Sequence, residues 1–291
     1  MLKKLSIFAV AGLVAWNCSL VKEDRINCNF TVPVNVRLTG FTCVQEDFPG
    51  TKATTDPAEY SAVNAVTLAF YQGNTEVYKS TQLKTDATAF GTFSLSLPMG
   101  SYTMVAIAHT SKTEYPFTLT SPTVAAYTGD HAYETFTHTQ SVNITDTDAV
   151  DISASLDRII SQLKVVSTDG KTANITNVRM TFSAGGRAFN PTTGYATSNT
   201  GFSNTVGNTA AVGATSTSST VFFLASDEQT MDVTIETLDV DGNTLFSKTV
   251  QNVPFKRNRI TKLSGAMYTN SSTGGSFQLT TDWETEYSGS F

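Results

Sequence analysis

Polar and apolar residues alternate along much of this chain with the period of a β-strand. In the segment 30–38, Phe30, Val32, Val34, Val36 and Leu38 share one face, and Thr31, Pro33, Asn35 and Arg37 share the other. A period of two marks a half-buried strand. Pro33 has no N–H to give a ladder, which points to an edge strand or to one that crosses between sheets. Thr39 and Gly40 are expected to end it. Val66, Leu68 and Phe70 alternate ahead of a Gly73-Asn74 turn, and Phe93, Leu95 and Leu97 ahead of Pro98 and Gly100. Residues 101–109 form a nearly continuous apolar run, as a strand buried on both faces does. Phe117, Leu119, Phe136, Val142 and Ile144 complete a first set of short strands. The polar stretch 145–148 places a domain boundary near residue 150. A second set follows at 158–166, 175–182, 220–225, 231–238, 244–250 and 259–264, with Asp241-Gly242 as a hairpin turn. Residues 192–220 are rich in Thr, Ser, Gly, Asn and Ala and read as a surface loop or weak hairpin. One short helix is expected at 56–63, with Asp56 as cap and Pro57 at the first helical position. Regular short strands with turns between them predict an all-β sandwich fold.

The C-terminus carries the longest alternation. From residue 277 to residue 291 the odd positions include Phe277, Leu279, Trp283, Tyr287 and Phe291, while the even ones are all polar. At ~3.3 Å per residue this spans about 50 Å, more than one ordinary strand needs. Either a final core strand ends near Trp283 and leaves a tail, or the whole segment docks on another subunit as an added strand.

Composition narrows the class. About 48 threonines and 18 Phe suit strands and a core. Only 15% of residues are charged, and the net charge of −6 with pI about 5.1 argues against nucleic acid. Candidate chemistry is sparse. His109 ends an apolar strand and reads as a packed residue. His131 and His138 fall on opposite strand faces and are poorly placed to share a metal. The segment 239–243 opens like a calcium loop, but Val250 stands where the closing glutamate belongs, so a hairpin turn fits better. Lys256, Arg257 and Arg259 form a basic cluster that either binds an anion or lies as a solvated strand entrance. No nucleophile, acid–base pair or phosphate loop stands out, so no enzyme and no cofactor is expected.

The N-terminus reads as an export signal over residues 1–17: Lys3 and Lys4, then an apolar run at 5–16 too short to span a bilayer. Cys18 follows directly, where a bacterial lipoprotein signal places its lipidated cysteine, although Ala15, Trp16 and Asn17 depart from the usual residues before it. The other reading is plain secretion. With Cys18 lipidated, Cys28 and Cys43 remain as one disulfide or as two free thiols.

Several segments resemble the fimbrillin superfamily that builds type V fimbriae of Bacteroidales, especially its minor, anchor-type subunits. Residues 18–28 (CSLVKEDRINC) resemble their lipidated start, 155–165 (SLDRIISQLKV) the strand opening the second domain, and 253–265 (VPFKRNRITKLSG) a recurrent C-terminal segment. Residues 51–72 resemble stalk subunits. The resemblance implies two tandem transthyretin-like β-sandwich domains, 18–150 and 151–291, and a structural role. In stalk fimbrillins an arginine-specific protease removes the first strand, and the opened groove takes a donor strand from another subunit. Here Arg37 and Arg25 are the positions such processing would use. An anchor keeps its first strand and its lipid, and joins the fibre by offering its C-terminal strand.

The expected function is therefore a lipid-anchored minor or anchor subunit at the outer membrane, with other fimbrial subunits as partners through strand exchange. The alternatives are a processed stalk or accessory fimbrillin, or a glycan-binding surface lipoprotein. The last predicts exposed aromatics on loops, and Tyr195 and Phe202 are the candidates.

Overall fold

The computed structural model describes residues 31–43, 53–55, 63–112, 116–129, 131–268 and 278–284. Among these every regular element is a strand. The strands are β1 (Thr31–Cys43), β2 (Ala53–Thr55), β3 (Ala65–Gln72), β4 (Thr75–Leu83), β5 (Thr92–Pro98), β6 (Gly100–His109), β7 (Phe117–Ser121), β8 (Val124–Tyr127), β9 (Thr135–Ile144) and β10 (Val150–Arg158). After them come β11 (Ser161–Ser167), β12 (Asn177–Phe182), β13 (Ala188–Phe189), β14 (Phe202–Gly207), β15 (Thr217–Phe222), β16 (Glu228–Leu238), β17 (Thr244–Lys256), β18 (Ile260–Gly265) and β19 (Gln278–Glu284). The helix expected at 56–63 lies outside the described residues except for Val63.

The first sandwich is one folded-over sheet. β4, β3, β6 and β9 pair antiparallel in that order. β9 then meets β10 through only two residue pairs, Asp157–Thr137 and Arg158–Phe136, where the sheet turns over. β10 runs parallel to β1, and the other edge of β1 takes β5 over Thr31–Arg37 and β2 over Phe41–Cys43. Val32, Val34, Val36 and Leu38 of β1 fill the core between the two layers, against Leu68 and Phe70 of β3, Met104 of β6, and Ile152 and Leu156 of β10. Burying each such side chain contributes about 1.5–3 kcal/mol.

β1 departs from expectation in two ways. It has neighbours on both sides and is not an edge strand. Pro33 is tolerated because pairing with β10 begins one residue later, at Val34. Thr39-Gly40 does not end the strand either. Gly40 sits at a register shift, the strand continues to Cys43, and Phe41 is fully buried with its ring 4.8 Å from Phe136. A bulge adds a residue without ending a strand.

The second sandwich faces the sheet β15-β11-β18-β19 against the sheet β14-β12-β16-β17. Leu163, Val165 and Leu263 from one layer meet Val178, Met180, Phe182, Val233 and Ile235 from the other. Segment 192–220 is not all loop: it contains β14 and the start of β15, whose few apolar side chains turn inward. Strand β10 lies in the first sandwich, although the sequence puts it beyond the expected boundary at 150. The chain crosses over at Ile159 and Ile160.

Those two isoleucines belong to a third core. β3 and β6 present Ala69, Tyr71, Val105 and Ile107 on their outer face, and the small sheet β13-β8-β7 covers them. Phe189 and Phe223, from the second half of the chain, insert here. Their rings stack 4.4 Å apart, and Tyr127 stacks on Phe223 at 6.2 Å. Burial raises the Tyr127 phenol well above its ordinary pKa, and the hydroxyl shares a 2.7 Å hydrogen bond with the Thr135 hydroxyl. An apolar joint of this kind resists the hinge motion expected of a small polar one.

Candidate functional site

A cleft of about 1020 Å³ opens beside this joint, between β9, the end of β10, the turn 191–195, the turn 226–228 and the β17–β18 connection. The β17–β18 turn is set by Asn258, which takes a left-handed φ of 60°, a conformation asparagine adopts more readily than most residues. Asn258 N–H donates to the Ile160 carbonyl at 2.7 Å, and the Arg257 N–H to the Asp227 carbonyl at 2.8 Å. The turn therefore aims Lys256, Arg257 and Arg259 at the cleft, so the basic cluster read from the sequence lines one concave surface.

Two of its cations serve structure. Arg158 is buried, pairs with Glu134 at 2.8 Å, donates to the Asn258 side chain at 3.3 Å and lies over the Phe136 ring at 5.4 Å. Arg259 is 7% exposed. The other two face the opening. Lys256 pairs with Glu228 at 3.2 Å and Arg257 with Asp227 at 2.8 Å, and both carboxylates are mostly exposed. The Arg257 guanidinium lies 4.9 Å above the Tyr195 ring and donates to the Thr193 carbonyl at 3.1 Å. Gly194, with a left-handed φ of 75°, makes this approach feasible: a Cβ there would stand 2.9 Å from Arg257 Nη1 and 2.7 Å from Ile159.

The other sequence candidates are spread out. Arg37 is exposed in the middle of β1, between Ser153 of β10 and Thr92 of β5. Leu279 and Trp283 lie in β19, which pairs antiparallel with β18 and breaks register between Ile260 and Lys262. Cys43 ends β1, opposite Ala53. Cys18, Arg25, Cys28, Phe277, Tyr287 and Phe291 lie outside the described residues. Phe202 is no surface aromatic. Its ring stacks on Phe182 at 4.6 Å against the second core, because the strand alternation of β14 turns it inward. Tyr195 is half-buried in the cleft wall. The 239–243 segment forms the β16–β17 hairpin, where Asp239 accepts from the Asn243 side chain at 3.0 Å and from the Asn243 and Asp241 N–H groups. The Asn243 side chain above all, with those backbone donors, holds the Asp239 carboxyl below its usual range. Its oxygens are committed to the turn. Among the described residues no cluster of His, Cys, Asp and Glu has metal-binding geometry. His131 instead shares a 2.6 Å hydrogen bond with Asn204, and His138 one of 3.0 Å with Gln140.

Sequence reasoning found the basic cluster but not its partners. Tyr195, Asp227 and Arg257 converge only through turns that carry no periodic signal.

The two sandwiches, the covered joint and the parallel β1–β10 pairing define an all-β protein of the β-sandwich type. The same fold occurs in the fimbrial anchor protein Mfa2 of Porphyromonas gingivalis, with 12% identity, 88% of this chain and 100% of that one covered, and a TM-score of 0.54. It also occurs in candidate adhesins of Bacteroides ovatus (10% identity, 89% and 96% covered, TM-score 0.53) and Bacteroides thetaiotaomicron (11%, 85% and 96%, 0.50). No curated protein matches the sequence. The chain belongs to DUF6562, a family of unknown function whose model matches residues 29–290.

Proposed function

We propose that this protein is a cell-surface fimbrial subunit of the anchor or minor type, lipid-anchored to the outer membrane at Cys18 and joined to its neighbours by β-strand exchange. Its likeness in fold to a fimbrial anchor and to candidate adhesins supports the fimbrial part of this reading. The observation that carries the strand-exchange part is the state of β1. Its four aliphatic side chains fill the first core between β10 and β5. A groove already filled by the chain's own strand has no room for a donor, so the chain joins a fibre by giving a strand. β19 is the strand easiest to give, being an edge strand held by one neighbour. Segment 277–291, with Phe277, Leu279, Trp283, Tyr287 and Phe291 on one face, would then fill alternate pockets in the next subunit.

The same reading divides the chain into a signal at 1–17 and two domains that meet at Ile159-Ile160. It leaves Arg37 and Arg25 uncut, and it allows Cys28 and Cys43 either to pair or to remain free. Deleting residues 284–291 should detach fimbriae from cells while the protein stays on the surface; unchanged surface fimbriation would sink the proposal. N-terminal sequencing of surface-extracted protein separates the alternatives. A lipid-blocked Cys18 supports an anchor, whereas a start at Leu38 or Ile26 means a processed stalk or accessory subunit.

A further inference from the structure

At about 1020 Å³ the cleft lies at the top of the ~300–1,000 Å³ range of small-molecule pockets and is far roomier than one ion requires. Its charge is mixed. Two basic side chains at the opening (Lys256 and Arg257) and two buried in its wall (Arg158 and Arg259) share the cleft with three acidic ones (Asp157, Asp227 and Glu228). That near-balance disfavours a polyphosphate or a nucleic acid, which need a surplus of cations. It suits a ligand that combines a single negative group with many hydroxyls, because sugar hydroxyls need acceptors as well as donors. Thr137 and Ser226 add hydroxyls to the wall.

The outer pair of cations is poised for exchange. Lys256 and Arg257 are about a third exposed, and their partners Glu228 and Asp227 are 71% and 61% exposed. Ion pairs this open are worth only ~0–1 kcal/mol, so an incoming carboxylate displaces them at little cost. The Arg257 guanidinium is already held in place by the Tyr195 ring and the Thr193 carbonyl. A preset planar fork binds a carboxylate with two parallel hydrogen bonds. Tyr195, whose ring lies under the guanidinium, lines the cleft beside it, and an aromatic ring packs against the C–H face of a sugar.

We propose that this cleft binds a uronate-bearing oligosaccharide, with the uronate carboxylate on Arg257 and Lys256 and an adjoining sugar ring against Tyr195. The proposal does not depend on the fimbrial reading: its ligand would bind to a free subunit.

Calorimetric titration of the full mature chain tests it with three acidic probes, α-1,4-linked trigalacturonate, a hyaluronan tetrasaccharide and a glucuronoxylan oligomer, and with α-1,4-linked galactotriose as the neutral counterpart of the first. At least one acidic probe should bind with a Kd below 1 mM, and galactotriose at least tenfold more weakly than trigalacturonate if that is the ligand. Arg257→Gln should weaken binding tenfold or more, and Tyr195→Ala at least fivefold, with thermal midpoints close to wild type. Should Arg257→Gln unfold the turn, Lys256→Gln is the substitute, with a loss of at least threefold. Sodium sulfate at matched ionic strength should fail to compete. Binding by none of the acidic probes, equal binding of the neutral sugar by a site that takes trigalacturonate, affinity indifferent to these substitutions, or full displacement by sulfate would each overturn it.

Discussion

β1 and β19 lie near opposite ends of the chain and are held in opposite ways. β1 has β10 along one edge and β5, then β2, along the other, and its valines at 32, 34 and 36 are at most 1% exposed. β19 has one neighbour, β18, and its pairing skips between Ile260 and Lys262. A strand with two neighbours and a buried face is part of the core it completes. An edge strand with a broken register is held along one side only, and it leaves open backbone groups where a further chain can pair. Under the proposed strand exchange, this contrast is what would let one molecule keep β1 and lend β19.

Removing β1 is the severest way to test the contrast. A chain that begins at Leu38 loses three buried valines, about 5–9 kcal/mol of burial, on the scale of the whole stability of a domain. Differential scanning calorimetry should show the transition of the first sandwich abolished. A preserved transition would mean that β1 is as dispensable as an edge strand.

Next in size is the joint, which ties both sandwiches together. Phe223→Ala should cost ~3–5 kcal/mol in urea denaturation, since Phe223 stacks with both Phe189 and Tyr127. A loss below ~1 kcal/mol would show that the two halves hold without each other.

Acid probes the same joint from within. His109 is fully buried at the end of β6, edge-on to Phe117 at 5.5 Å, and neither ring nitrogen has a well-formed hydrogen-bond partner. Burial lowers its pKa to about 4, opposed only in part by the Ser111 backbone. The unfolded imidazole takes its proton near pH 6.5 and the folded one only near 4. Stability is therefore complete above about pH 6.5 and falls through the window down to about 4, by ~3 kcal/mol at most. Urea midpoints at pH 7 and pH 4.5 should differ in the wild type and differ less in His109→Leu. Equal pH dependence in both would remove His109 as the cause.

The smallest effect is expected from the other end. Deleting residues 278–291 should lower the thermal midpoint by about 5 °C, roughly 1 kcal/mol, with the transition of the second sandwich intact. A collapse as complete as that caused by losing β1 would erase the distinction between the two strands.

Much of this was legible beforehand, because alternation reports burial directly. The inward face of β1, the apolar run of β6 and the Gly73 and Asp241-Gly242 turns all lie where the pattern put them. The pattern failed where the environment changes within an element. Gly40 resembles a terminator, yet a bulge absorbs it because Phe41 still has a core to enter. The polar run at 145–148 resembles a boundary, yet it is a connection inside the first sandwich, since the partner of β10 is β1, more than a hundred residues earlier. Phe202 resembles a surface aromatic because its neighbours are small and polar, but its strand turns it onto Phe182. For the cleft, the cluster 256–259 could be seen, whereas Tyr195 and Asp227 could not be assigned to it.

By itself the sequence determined the class of the protein: strands, sandwich cores, a low charge, and a long alternating C-terminal segment. These follow from local sterics and from the period at which side chains meet water. Only the tertiary structure decided which strand became interior, where the halves part, and which distant turns share a wall. Such choices depend on long-range pairing, whose partners are set by the total burial achieved and not by any single segment.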